Sequence, residues 1–319
     1  MEENDYRFSV VITSYNQKGY LIETVESVIK QTVKPHEIII ADDHSTDGSG
    51  ELIREYVARY PGWIKAIFQK KNVHIPRNRN TGLWQVTGNY VAILDGDDRF
   101  LPYKVEMELE ALSKHPEARC VYSNVRIIDG DGRLMKVRDE ETQPSGDIFV
   151  YVARRKFGLL RSMVIDYTLL QELGFLDERF PKYDGFDLTV RLAKQCQFAY
   201  VSEPLVEYRV HSDSDSKGLK AKEHLHDLQG IYKKMLPLLT DLPIVERKEI
   251  SKIWSRTLFK WRARHAIESG QKLRSLLMTL WAIVKGHAKR RDLREIICLI
   301  RNYSKRSKYK KKSSSLSSS

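Results

Sequence analysis

Short apolar runs recur at regular intervals through the first hundred residues, and this alternation most constrains the fold. Residues 8–13, 37–41, 66–68 and 90–94 are runs of this kind, rich in β-branched side chains. Continuous apolar runs of four to eight residues suit parallel strands buried on both faces. Between them the apolar positions move to helical spacing. Leu21, Ile22, Val25, Val28 and Ile29 fall on one side of residues 19–31. Leu52, Ile53, Tyr56 and Val57 do the same in a second helix, and residues 78–87 form a third. Strand and helix therefore alternate, which predicts a doubly wound α/β unit with a mostly parallel sheet and helices on both faces. Such sheets bind ligands beyond the carboxyl ends of their strands. The acidic clusters Asp42-Asp43 and Asp95-Gly-Asp97-Asp98 fall at those ends.

The pattern loosens downstream. A helix over 103–115 leads to a strand at 120–123, and Asp129-Gly-Asp-Gly132 reads as a hairpin turn. Residues 148–172 are mixed, 188–194 are helical, and 198–201 and 206–209 are two short strands. From residue 220 the spacing is purely helical, over 222–236, 244–268, 271–285 and 292–303, with breaks at Gly270 and Gly286. The Ser/Asp/Gly-rich stretch 212–218 marks a boundary. We expect an α/β domain over 1–217, a helical region over 218–304 and a disordered Lys/Ser-rich tail over 305–319.

Charge divides the 319 residues at the same place. Residues 1–219 carry 29 Lys and Arg against 34 Asp and Glu, net −5, whereas residues 220–319 carry 25 against 8, net +17. Strongly basic tails meet nucleic acid or anionic lipid headgroups, while the plainer reading is a solvated helical face. No aromatic-rich RNA motif or Cys/His finger accompanies the charge, which argues against nucleic acid. The cysteines, Cys120, Cys196 and Cys298, are widely spaced and odd in number, which argues against a disulfide framework or a Cys-rich zinc site. Residues 1–7 are polar and acidic, unlike a secretory signal. The longest apolar run, 276–284, is interrupted by Thr279 and too short to span a bilayer. A cytoplasmic protein, or one on a cytoplasmic membrane face, is expected. Apolar residues of the tail recur at helical spacing between basic ones: Trp254, Leu258, Trp261, Leu276, Leu277, Leu280, Trp281, Ile296, Ile297 and Ile300. They suit an anionic membrane interface or packing on the body or another subunit.

Asp95-Gly-Asp97-Asp98 places three carboxylates in four residues after an apolar strand. They repel one another unless a cation sits between them, and hard oxygen ligands of this kind suit Mg²⁺ or Mn²⁺ bridging phosphate oxygens. The alternative is an Asp-Gly turn with solvated acids. Asp42 and Asp43 either sit ahead of a helix capped by Ser45, Thr46 and Asp47, or accept hydrogen bonds from a nucleobase or ribose. Thr13-Ser-Tyr15-Asn16 ends the first strand at the same level, and Tyr15 either stacks on a base or packs.

Five stretches stand in order: Val10-Val-Ile-Thr-Ser-Tyr-Asn16, Ile39-Ile-Ala-Asp-Asp-His-Ser-Thr-Asp47, Arg79-Asn-Thr-Gly82, Ala92-Ile-Leu-Asp-Gly-Asp-Asp98 and Leu173-Gly-Phe-Leu-Asp-Glu-Arg-Phe180. Together they resemble the family 2 glycosyltransferases over about residues 7–212. The resemblance implies the GT-A nucleotide-sugar-binding fold and inverting transfer of a sugar from a nucleotide diphosphate donor, usually UDP-linked. The acceptor would be a glycan or glycolipid, as in bacterial-type surface polysaccharide synthesis. By position, Thr13, Tyr15 and Asp43 would hold the uridine, with Asn16 and Asp42 beside them. Arg79 would serve the pyrophosphate, and Asp97 would ligate Mn²⁺ or Mg²⁺ with Asp95 and Gly96 alongside. Asp98 would lie where acceptor and donor sugar meet. Tyr208-Arg-Val-His211 resembles a downstream element whose His approaches the metal or pyrophosphate.

One departure concerns the general base. The family usually presents an acidic pair before an aromatic residue and a helix bearing Arg, the second acid being the base. Here the stretch is Tyr183-Asp184-Gly185-Phe186-Asp187, with Arg191 one turn on, so the usual base position is Gly185. Asp184 is expected to serve, with Asp187 as its rival; Asp187 also suits a helix N-terminus or a pair with Arg191. Without a base, the chain would be a non-catalytic nucleotide-sugar or glycan-binding protein on the same fold.

Overall fold

Strand β1 (Phe8–Ser14) is buried at every residue and forms the axis of the sheet. Parallel strands β2 (Glu37–Asp42) and β4 (Tyr90–Asp95) flank it, and β3 (Ile64–Phe68) lies beyond β2. Their register sets Thr13 opposite both Ala41 and Asp95, and Ser14 opposite Asp42, so the acidic strand ends form one row. Helices α1 (Lys18–Ile29), α2 (Ser49–Arg59) and α3 (Ile75–Leu83) make the crossovers. Helix α3 begins earlier than the expected 78–87, because Pro76 suits a first helical turn and its missing N–H would have had no partner there. The computed structural model describes residues 6–138, 143–155, 162–211, 220–284, 293, 294 and 296–300.

The chain next forms β5 (Arg99–Phe100), α4 (Lys104–Lys114), the long strand β6 (Ala118–Asp129) and β7 (Leu134–Val137). After these come α5 (Phe149–Ala153), β8 (Met163–Asp166), α6 (Tyr167–Glu172), α7 (Asp184–Gln195) and β9 (Gln197–Val210). The sheet order is β3-β2-β1-β4-β8-β6-β9-β5, with β7 paired to β6 through the turn at Asp129–Gly132. Four parallel strands thus continue into a mixed half, where β8 runs antiparallel to β4 and β6. The two short strands expected at 198–201 and 206–209 are one strand, β9. Its register against β6 slips around Asn124 and Pro204, where the proline cannot donate to the ladder. Between the sheet and its helices lies a core built from Val10, Ile12, Ile38, Ile40, Ala92, Leu94 and Val121.

Two compact units divide the chain, Met1–Ser214 and Asp215–Ser319. The second contains α8 (Ala221–Met235), a 3-10 turn (Leu236–Leu239), α9 (Ile244–Glu268) and α10 (Lys272–Val284), and residues 296–300 are helical. Gly270 ends α9 at φ 78°, a left-handed conformation that favours glycine. Phe259, Ala263, Ile267, Ala282 and Ile296 share a core, and Trp254 is buried against Tyr232 with ring centroids 5.1 Å apart. Of the apolar tail residues, Trp254, Leu258 and Ile296 are therefore interior, whereas Leu277, Leu280 and Ile297 are exposed. The side chain of Trp281, the break at Gly286, the stretch 212–218, part of the expected helix 292–303 and the tail 305–319 lie outside the described residues. No described helix is long and apolar enough to cross a membrane.

Candidate functional site

Asp95 ends β4, and two residues from other elements converge on its Oδ1. Arg79 Nη2 donates to it at 2.5 Å and Thr13 Oγ1 at 3.3 Å. Arg79 comes from α3, which lies flush on β1 because Gly82 has no side chain. A Cβ there would stand 2.5 Å from Val11 Cγ1. Gly96 is required in the same way, since its Cβ would meet Thr13 O at 2.8 Å and Gln17 Oε1 at 2.7 Å. The two glycines thus allow close packing near Asp95, Gly82 against the Val11 side chain and Gly96 against the Thr13 main chain.

The second arm of Arg79 reaches Asp184, Nη1 donating to Oδ2 at 2.7 Å. Asp184 opens α7 and is buried, so one guanidinium joins the end of β4 to the start of α7. Asp187 takes a different partner. Its Oδ2 accepts from Arg191 Nε at 2.8 Å, and the same guanidinium donates to Leu173 O and Phe175 O. The structure therefore brings Asp184, but not Asp187, to Asp95. Arg191 uses Asp187 to hold the 173–175 loop on α7.

Asp97 Oδ2 and His211 Nε2 are 3.0 Å apart. The His211 ring packs on Tyr20 at 4.7 Å, and Arg209 lies over the other partner of that cluster, its Cζ 4.7 Å from the Tyr20 centroid. Arg209, nearly fully buried, ties the cluster together. It donates from its main chain to Asp98 Oδ1 at 2.9 Å, from Nε to Asp97 O at 2.9 Å and from Nη2 to Glu23 at 2.6 Å. Asp98 is fully buried, and its main-chain carbonyl accepts from Thr24 Oγ1 at 2.8 Å. The position expected to meet the acceptor instead braces the turn against β9, because its side chain faces inward.

Among the described residues no group of three or more His, Cys, Asp and Glu is placed to hold a metal ion. Asp97 and His211 form a two-donor set, one carboxylate oxygen and one imidazole nitrogen aimed at each other. Mg²⁺ and Mn²⁺ in nucleotide sites commonly take one or two protein ligands and complete their shell with phosphate oxygens and water. The donor set fits such an ion. Asp95, expected among the ligands, has Oδ1 engaged by Arg79 and Thr13.

The end of the row where the sequence places the nucleoside is built on strained loops. Asn16, His44 and His74 have φ of 52°, 66° and 69°, in the left-handed region, and they follow β1, β2 and β3. Such outliers persist only where surrounding contacts hold them. Asn16 is held by Ser45 Oγ at 2.9 Å and by Thr46 N at 2.8 Å. Asp43, buried, accepts from Val73 N at 2.6 Å and His74 N at 2.9 Å. Burial pushes its carboxyl above the ordinary 3.8, and those two N–H groups pull the other way. Asp42 accepts from Ser45 N and Oγ, so Ser45 serves that loop rather than capping α2. Asp47 binds Ser49 N at 3.0 Å. Tyr15, which follows β1, is half exposed.

Three contributors escape a reading of the sequence. Asn80 clasps Leu176 with both amide atoms, at 2.9 and 3.0 Å, and Asn78 Nδ2 donates to Ala41 O at 2.8 Å. Both side chains fix α3 to its neighbours. Arg209 is the third. Its one signal is its spacing, two residues before His211, which lies just past the end of β9.

Comparison with known proteins gives a consistent picture. The model of the family described as Glycosyl transferase family 2 matches residues 9–170. EpsE of Bacillus subtilis is 35% identical over 210 residues, covering 66% of this chain and 74% of its own. An uncharacterized protein of Mycobacterium tuberculosis is 31% identical over 219 residues, covering 64% of this chain, and this chain spans 59% of that relative's length. Crystal structures of Staphylococcus aureus TarS 1-349 share the fold at 16% identity. One has a TM-score of 0.63, with 94% of this chain and 91% of that one covered. The complex with UDP-GlcNAc has a TM-score of 0.62, with 93% and 89% covered.

Proposed function

The chain belongs to glycosyl transferase family 2, and from that premise we propose that it moves a sugar, with inversion, from a UDP-linked donor to a glycan or glycolipid hydroxyl. The observation that carries this reading is the fork of Arg79, which joins Asp95 at the end of β4 to Asp184 at the start of α7. A cation and a candidate base thereby share one point beyond the carboxyl end of the sheet. The UDP-GlcNAc complex of TarS supports a nucleotide sugar as donor class.

Inverting displacement asks two things of a site. Negative charge grows on the leaving diphosphate, and preorganised positive groups lower the barrier by meeting it. The acceptor hydroxyl, with a pKa far above 7, needs a carboxylate to take its proton opposite the leaving group. Arg79 meets the first need and Asp184 the second. Arg79 holds Asp184 Oδ2, and a donor diphosphate competing for that guanidinium frees the carboxylate to act as base. Thr13, Asp43 and Asn16 orient the nucleoside, and Tyr15 stacks on its base. Asp98, through Arg209, positions Asp97 and His211. A divalent cation bound by Asp97 and His211, Mn²⁺ or Mg²⁺, would neutralise charge on the diphosphate. The net +17 of residues 220–319 supports an acceptor presented at a cytoplasmic, anionic membrane face, as in surface polysaccharide synthesis.

A second reading, a non-catalytic binder, is favoured by one feature: Gly185 stands at the usual base position while Asp184 is engaged by Arg79. Slow hydrolysis of a UDP-sugar without acceptor, in the presence of Mn²⁺, decides between them. Turnover supports the transferase. A thermal shift with a UDP-, GDP- or dTDP-sugar but no turnover on any of the panel supports the binder.

A further inference from the structure

Helix α10 packs Leu276, Met278, Ala282 and Ile283 on the core of its unit and leaves a second set of apolar side chains exposed. Ser275, Thr279 and Ala282 are fully buried; Ser275 Oγ donates to Ala263 O of α9 at 2.9 Å, and Thr279 Oγ1 to Ser275 O at 2.7 Å. On the other side Leu273, Leu277 and Leu280 are 70%, 57% and 48% exposed. Their spacing of four and three residues aligns them in one stripe. A surface helix of a globular unit ordinarily buries one apolar stripe and turns a polar face to water, so this exposed stripe is additional to the one the core needs. Single exposed leucines are normal, but an aligned set of three marks a surface that something covers.

Charge identifies the occupant. Lys272 and Arg274 bracket Leu273 on the first turn, and the sequence of residues 220–319 carries net +17. Two copies of so basic a unit repel each other, which disfavours self-association through this stripe. An acidic protein or a nucleic acid would satisfy the basic residues and leave the leucines in water. An anionic bilayer satisfies both, taking the leucines below the headgroups and the cations among them. We infer that the Leu273–Leu277–Leu280 face of α10 docks on an anionic lipid bilayer. The inference deepens the membrane-facing part of the proposed function and is separate from the transfer chemistry.

Co-sedimentation of the full-length protein with vesicles tests it, using phosphatidylcholine with and without phosphatidylglycerol. The protein should pellet with the phosphatidylglycerol vesicles at low salt and remain in the supernatant with phosphatidylcholine alone. Leu273→Ser/Leu277→Ser/Leu280→Ser should weaken vesicle binding by about tenfold or more. Melting temperature and the thermal shift given by a UDP-sugar should stay at wild-type values, since the substituted side chains are exposed. The single variant Leu277→Ser should show a smaller loss in the same direction. Lys272→Gln/Arg274→Gln should flatten the salt dependence. The inference is overturned if the wild type ignores phosphatidylglycerol vesicles, or if the triple variant binds them as well as the wild type. It is equally overturned if the triple variant only converts a dimer to a monomer in sedimentation equilibrium. The UDP-sugar shift, read on the same samples, reports separately on the donor site.

Discussion

The guanidinium of Arg79 donates to Asp184 Oδ2 at 2.7 Å, across 105 residues of sequence. The contact separates the two candidate bases, because Asp187 is claimed by Arg191 within its own helix. Asp184→Asn removes the carboxylate that competes with the diphosphate for Arg79. Donor binding should therefore be no weaker than in the wild type, while transfer falls by about two orders of magnitude or more. Asp187→Asn should instead lower stability by about 1–3 kcal/mol, since it weakens a buried ionic hydrogen bond, and leave transfer per folded molecule near wild type. Denaturant melts and initial rates on both variants check this. A folded, inactive Asp187→Asn beside an active Asp184→Asn would move the base to Asp187.

Metal dependence is a prediction motivated by the pairing of Asp97 and His211, 3.0 Å apart. Titration calorimetry with UDP should show tighter binding in Mn²⁺ than in EDTA. Asp97→Asn and His211→Ala should each remove about an order of magnitude or more of that gain. Undiminished turnover in EDTA would sink the prediction.

The seat of α3 on β1 depends on Gly82. Gly82→Ala would press a methyl to within 2.5 Å of Val11 Cγ1 and should cost about 1–3 kcal/mol. Because α3 carries Arg79, donor affinity should fall as well. Adding Val11→Ala opens the space and should recover part of the melting temperature. A Gly82→Ala variant that melts like the wild type would show that α3 does not rest there.

Acid stability should depend on Glu37, at the opposite end of the sheet. Burial alone would raise its carboxyl. Hydrogen bonds from Lys65 at 2.7 Å, Thr87 N at 2.6 Å, Ser9 Oγ at 2.8 Å and Thr87 Oγ1 at 2.9 Å outweigh it and hold the group at about 2, below its ordinary 4.5. The folded-state value lies below the unfolded one, so its stabilisation is complete above pH 4.5 and drains as pH falls towards 2. Allowing for the solvent around Lys65, the loss should be on the order of 2 kcal/mol. Glu37→Gln should flatten this limb of the stability–pH curve. An unchanged acid limb in that variant would assign it to other carboxylates.

How far the sequence reaches is clear from where it falls short. β1 and β2 are buried at every residue, so their sequences are dominated by apolar side chains, and the acidic end of β2 is plain. β6 and β9 also lie inside the sheet, yet Ser123, Asn124, Glu207 and Arg209 interrupt their apolar pattern. Burial of such residues is tolerated because partners distant in the sequence satisfy them, as Asp98 and Glu23 do for Arg209. A periodic pattern records which face is apolar and is blind to partners of that kind.

The sequence by itself determined the alternating α/β half, its acidic strand ends, the basic helical region and, through its ordered motifs, the family. The tertiary structure alone decided which carboxylate meets Arg79, that Asp98 faces inward and that α10 leaves Leu273, Leu277 and Leu280 exposed. Periodicity is local and survives in one dimension, whereas the pairing of buried charges depends on which distant side chain arrives within about 3 Å.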